Sequence, residues 1–327
     1  VARGVAIILV VLSHVGNVRY GEGNGLLWFN TVLVVNMPLF FFVSGYLLFK
    51  PVMPPWVGVV RKRVDSLIVP YASWLVIAAV IDVVVLSPSA GARRLVLGLV
   101  EPRQGLWFLY VLFECVVIFA LLHMVSQRPT WLVISSLALA VGITFLPPHE
   151  SDLLGKTNLQ YLLPYLAIGF VFARTKARWR PHVLAIAVVV SVLFVALGAL
   201  LLVPANDGWW RAALVSAGAP GIVQVAASRI ARYSLGIAAV VAAFSWSLLL
   251  GGPVGRAVAV VGVSSIGIYA TQGYLILAME RLPQLPVLVT TAVVVAAALA
   301  ATMVLRRWGI SRRLLLGIPP ARLHVTP

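Results

Sequence analysis

Within the first apolar run of the chain, RGVAIILVVLSH, Arg3 and His14 stand eleven positions apart. At ~100° and ~1.5 Å per residue, eleven steps make about three full turns and about 16 Å, so on a helix the two side chains share one face, with the histidine roughly half-way through a bilayer. A neutral imidazole takes a proton from a hydroxyl and returns it near neutral pH. An arginine at the cytoplasmic end of the same helix can hold a phosphate or carboxylate through paired hydrogen bonds. Together they suit group transfer from a phosphorylated cytosolic donor. The plainer alternative is a satisfied core histidine. Its mid-membrane position and the same-face arginine weigh against that, because an ionisable group in a bilayer needs a partner or a task.

The elements that must position this pair are spans. The 327 residues are 61% hydrophobic and 10% charged, with a mean hydropathy of +1.03, far outside the range of a soluble domain. Ten runs are long enough to cross: 4–19, 29–49, 66–87, 105–124, 130–147, 159–173, 182–203, 232–250, 263–280 and 286–305. The fold class is therefore all-α, a polytopic transmembrane helical bundle of about ten spans. No loop is long enough for an attached soluble domain, so residues 1–327 read as one integral membrane domain. The first run leads into further spans and shows no small-residue cleavage site, which marks it as a span and not a cleavable signal.

The net charge of +16 does not point to nucleic acid, since the basic residues sit in short clusters between apolar runs. With ten spans and a cytoplasmic N-terminus, sixteen of the twenty-five Lys and Arg residues fall on the inside, as the positive-inside rule requires. An eleventh crossing at 209–228 would put the C-terminal arginine cluster outside. That segment is expected to be interfacial or re-entrant, anchored by Trp209 and Trp210. The single cysteine, Cys115, excludes an intramolecular disulfide and a multi-cysteine metal site, and reads as a packing residue. No metal is expected.

Few other ionisable groups lie in the spans. Asp82 reads as an interhelical hydrogen-bonding group and His123 as an interfacial residue. Glu114, well inside its span in LWFLYVLFE, stays open between a structural partner for a buried arginine and a site residue. Ser44 and Gly45 permit close helix approach, which would bring Asn36, Phe41 and Ser44 near the first span. Phe40, Phe41 and Phe42 read as lipid-facing, and Trp107 and Phe108 as interfacial anchors.

These stretches resemble the acyltransferase-3 family of integral membrane O-acyltransferases. RGVAIILVVLSH is similar to the family's R-x10-H signature, and MPLFFFVSGYLLF (37–49) to its phenylalanine-rich second span. RKRVDSLIVPY (61–71) is similar to its basic loop, LWFLYVLF (106–113) to its Leu-Trp-Phe-Leu element, and VGVSSIGIYATQGYL (261–275) to its Ser-x-x-Ile-Tyr segment. The resemblance implies transfer of an acyl group, most simply acetyl, from cytosolic acyl-CoA (acetyl-CoA as co-substrate) to a hydroxyl of a glycan, glycolipid or secondary metabolite beyond the membrane. It implies His14 as the catalytic histidine, Arg3 as the motif arginine, and Arg61 and Arg63 as contacts to the CoA phosphates. Charge alone also fits anchoring of those two arginines to anionic membrane lipids. Asn36, Ser44, Trp107, Glu114, Tyr269 and Gln272 are candidate site-lining residues. Gln272 stands where the family often has histidine, so it is at most a hydrogen-bonding group. The location implied is the bacterial inner membrane, with both termini cytoplasmic.

A transporter or flippase for a glycolipid or small metabolite also uses ten spans and intramembrane polar groups. Such a protein should carry them in two related halves. Here they concentrate in the first four spans and around Tyr269, which favours an enzyme.

Overall fold

A computed structural model describes residues 1–21, 27–50, 52, 54–85, 87–102, 106–144, 153–202, 215–218, 220–279 and 285–318. The helices are α1 Ala2–Tyr20, α2 Leu27–Leu48, α3 Trp56–Arg63, α4 Val69–Val85, α5 Pro88–Val100, α6 Trp107–Val125, α7 Pro129–Thr144, α8 Lys156–Arg174, α9 Lys176–Trp179 and α10 Val183–Leu202. After these come α11 Gly221–Leu249, α12 Gly252–Val263, α13 Ser265–Met279, α14 Val287–Leu305 and α15 Gly309–Leu314. A π-helical turn, Val64–Ile68, joins α3 to α4, so that Trp56–Val85 runs as one 30-residue helical rod with a membrane-length apolar stretch after its basic start. The class is the all-α polytopic bundle expected.

Not all ten expected runs meet the length and composition standard of a span on their own. Among the described residues, seven helices are long and apolar enough to cross a membrane, or eight if the bent pair α12 and α13 is one span. The two other expected runs are helical but do not meet that standard: α7 has only 16 residues, and α8 carries Lys156, Asn158, Gln160 and Pro164. The reason lies in the surroundings of α8, whose Leu162 to Ala167 are all buried. Such a helix meets neighbouring helices in place of lipid, so it does not need a wholly apolar circumference.

Other expectations are corrected. Residues 221–228 are the opening turns of α11, a 29-residue helix, and not part of a separate interfacial segment. At ~1.5 Å per residue this helix exceeds the ~30 Å hydrocarbon core, which leaves room for Gln224, Arg229 and Arg232 beyond it. Trp209 and Trp210 lie outside the described residues. The stretch after Val85 holds a helix that hydropathy alone misses, α5, capped where the Ser87 side chain accepts a hydrogen bond from the Ala90 N–H at 3.2 Å. Ser-Pro at a helix start was its available signal. Phe40, Phe41 and Phe42 are buried in the core instead of facing lipid. His123, in the last turn of α6, is buried with its Nδ1 accepting from Trp56 Nε1 at 3.1 Å; Cys115 is fully enclosed, as expected of a packing residue.

At the centre is α1, packed against α2, α11, α12, α13 and α14. Its Ala2, Gly4, Ala6, Ile7, Val10 and Val11 are buried. Across the bundle, α2 and α8 approach through reciprocal glycines. A Cβ at Gly45 would collide with the Leu166 carbonyl, and one at Gly169 with the Phe42 carbonyl. Gly45 therefore does permit close approach, but to α8 and not to the first span. Gly169→Val should force the two helices apart at a cost of about 1–3 kcal/mol, read as a lower thermal midpoint of the solubilised protein. Gly142→Val, at a position where a Cβ meets nothing within 4 Å, should leave the midpoint unchanged.

Candidate active site

His14 opens into a cavity of about 540 Å³. Its wall is built by α1 (His14, Asn17), α4 (Tyr71, Trp74, Asp82), α5 (Arg94) and α13 (Tyr269, Gln272). Asp82 is ion-paired with Arg94 across α4 and α5, which gives the expected interhelical role its partner. Tyr71 adds a second tie between these helices by donating its hydroxyl hydrogen to the Gly98 carbonyl. Trp74 Nε1 donates to the Leu315 carbonyl at 3.0 Å. The Tyr269 ring meets the His14 ring edge-on, with centroids 6.3 Å apart. Gln272 is buried, and its Oε1 has no hydrogen-bond partner among the described residues.

At the other end of α1 lies a smaller cavity of about 200 Å³, lined by Arg3, Ser44, Arg63, Ser66, Phe108 and Arg306 among others. Arg63 and Ser66, three positions apart, both reach it from this element, Arg63 just before the π-helical turn and Ser66 within it. Such wide turns recur at functional sites because they re-aim side chains. Ser44 donates its hydroxyl hydrogen to the Phe40 carbonyl at 2.8 Å. Among the described residues, three guanidinium groups line this cavity and no carboxylate does. Uncompensated cations in a low-dielectric site attract an anion strongly.

One aromatic layer divides the cavities. Phe108 lines the arginine cavity and Tyr269 the histidine cavity, with ring centroids 4.3 Å apart. Phe40 backs Phe108 at 5.4 Å.

Thus His14, Tyr269 and Gln272 are brought together on one side of the layer, and Arg3, Ser44 and Arg63 on the other. Arg61 is exposed and lines neither cavity, nor do Asn36, Trp107 and Glu114. Asn36 instead ties α2 to α1, its Nδ2 donating to Ser13 Oγ at 2.9 Å, one residue before His14. Phe108, read as an interfacial anchor, is buried at the cavity wall. Sequence reasoning missed Arg94, Ser66 and Arg306 as site residues. Arg306 was visible only as one of a basic cluster, and nothing in the sequence distinguished it from its neighbour Arg307.

Residues 1–307 match a family model described as an acyltransferase domain. The nodulation protein NolL of Mesorhizobium japonicum is 24% identical over 352 residues, covering 98% of this chain and 89% of the relative. The nodulation protein NolL of Sinorhizobium fredii is 26% identical over 182 residues, covering 53% of this chain and 47% of the relative. No solved structure matches the chain. With the family model spanning nearly all of the bundle that carries both cavities, the chain belongs to the acyltransferase-3 family of membrane acyltransferases.

Proposed function

We propose that this acyltransferase moves an acyl group, most simply acetyl, from cytosolic acyl-CoA to a hydroxyl of a glycan, glycolipid or secondary metabolite that enters from the far membrane face. The observation that carries this reading is the pairing of two cavities on one helix: a cavity lined, among the described residues, by three guanidinium groups and no carboxylate at Arg3, and a larger one at His14, with an aromatic layer between them. The first suits a phosphorylated donor, the second a bulky polar acceptor. Arg3 and Arg63 hold donor phosphates, and Arg61, exposed on α3, serves attraction of the anion.

In direct transfer the acceptor oxygen bonds to the thioester carbonyl carbon as the C–S bond breaks. His14 takes the hydroxyl proton, and the coenzyme A thiolate leaves and is protonated to the thiol. Tyr269 and Gln272 flank that reaction from α13. The covalent alternative uses the same imidazole as nucleophile, which passes the acyl group across the aromatic layer. The protein sits in a bacterial inner membrane with both termini cytoplasmic, supported by the bias of basic residues toward one side. A reporter fused after Pro327 should accordingly read cytoplasmic, and a periplasmic signal would overturn that orientation.

His14→Ala should leave the protein folded and inserted but slow transfer by about 10²- to 10⁴-fold. Arg3→Lys should raise the apparent KM for acyl-CoA, because a point charge does not replace a planar fork. A pulse of labelled acyl-CoA without acceptor separates the two routes: label on His14 marks the covalent one, and its absence with intact turnover marks direct transfer. A purified His14→Ala protein that acylates its acceptor at the parental rate would sink both.

A further inference from the structure

One wall of the arginine cavity has no part in the chemistry above. Here α12 stops and α13 sets off at 79° to it, with Ser264 at the corner. The Ser264 N–H donates back to the carbonyls of Val260 and Val261 at 3.2 and 3.1 Å, and its carbonyl accepts from the Ile268 N–H at 3.0 Å. That last contact is the first i→i−4 bond of α13. The N–H groups of Ser265, Ile266 and Gly267 therefore have no acceptor in their own helix, and these residues line the cavity. A helix of 15 residues directs the positive end of its dipole there.

Side chains at the corner and on two other elements share the same deficit. Ser264 is 2% exposed, and its Oγ lines the cavity without a hydrogen-bond partner among the described residues. Ser66 Oγ and Arg306 Nε, from two other elements, are also buried there without one. Arg306 is held in place because its Nη2 donates to the Val263 carbonyl at 2.8 Å. Glycines draw these elements onto the corner. A Cβ at Gly262 would meet the Gly4 nitrogen of α1 at 2.7 Å, and one at Gly267 would press into Thr302 of α14. The result is a buried cluster of donors with a cation and, among the described residues, no carboxylate, short of acceptors. A phosphoryl group, which offers only acceptor oxygens at neutral pH, is the complementary ligand.

We propose that Ser264, the first turn of α13, Ser66 and Arg306 form a phosphate subsite that binds a phosphoryl group of the donor. It rests on the acyl-CoA reading only for the source of that phosphate. A phospholipid headgroup presents the same chemistry, so the test separates the two.

Purified full-length protein is titrated with coenzyme A, with inorganic pyrophosphate, and with phosphatidylglycerol in neutral-lipid nanodiscs. Binding is read as thermal stabilisation and as Kd. Arg306→Gln should weaken coenzyme A and pyrophosphate by about tenfold or more, the scale of a hydrogen bond to a charged group. Ser264→Ala should weaken both by about three- to tenfold, and Arg306→Lys should restore part of the loss. Unliganded midpoint and gel-filtration profile confirm that each variant folds, and Ser264→Ala carries the test if Arg306→Gln does not. Unchanged affinities in folded variants would overturn the subsite. Sensitivity to the substitutions for phosphatidylglycerol alone would overturn its assignment to the donor. A wild-type protein that ignores coenzyme A yet binds pyrophosphate through Arg306 would uphold the subsite and remove the acyl-CoA reading.

Discussion

The close approach of α1 to the corner between α12 and α13 governs the rest of the architecture. A Cβ at Gly4 would run into the Val258 carbonyl, and one at Gly262 would run into the Gly4 backbone. Neither helix can come this near with a larger residue at the crossing. Because α1 is fixed there, Arg3 is delivered beside Ser264, and helical periodicity then carries His14 to the far cavity on the same face. Asn36 secures the other end by donating to Ser13. The two chemical groups are thus held by one rigid rod whose ends are independently tied.

The two cavities differ in electrostatics. At the histidine end the charged pair Asp82 and Arg94 neutralises itself within the wall, leaving a space suited to an uncharged polar molecule. At the arginine end three cations share a small volume with no carboxylate among the described residues. Burial of like charges is costly, and the cost is relieved when an anion enters. The aromatic contact of Tyr269 with Phe108 keeps the cavities distinct. Any group passing from one to the other must move past these rings.

Departures from regular helix occur where the cavities need them. The π-helical turn at Val64–Ile68 and the sharp corner at Ser264 both face the arginine cavity. Within a bilayer, freed backbone groups are tolerated where they line a cavity or are enclosed by protein. The same constraint explains why Ser44 and Thr302 return their hydroxyl hydrogens to carbonyls one turn back, at 2.8 and 2.7 Å, whereas Ser264 and Ser66 do not.

By itself the sequence determined the membrane class, a helix in each of the ten apolar runs over the described residues, and the shared face of Arg3 and His14. Each follows from composition or from the period of 3.6 residues, which are local properties. It also carried the motif order that marks the family. The membrane-crossing standard of α7 and α8, the burial of Phe40 to Phe42, and the partner of Asp82 were decided by which helices become neighbours. So was the selection of Arg306 from a cluster of arginines, since only the crossing of α14 over α13 brings that one guanidinium to the Ser264 corner. Hydropathy measures how a segment partitions from water and is blind to whether lipid or protein surrounds it afterwards. That neighbourhood is a tertiary property, set here by glycines whose missing side chains leave no apolar signal to read.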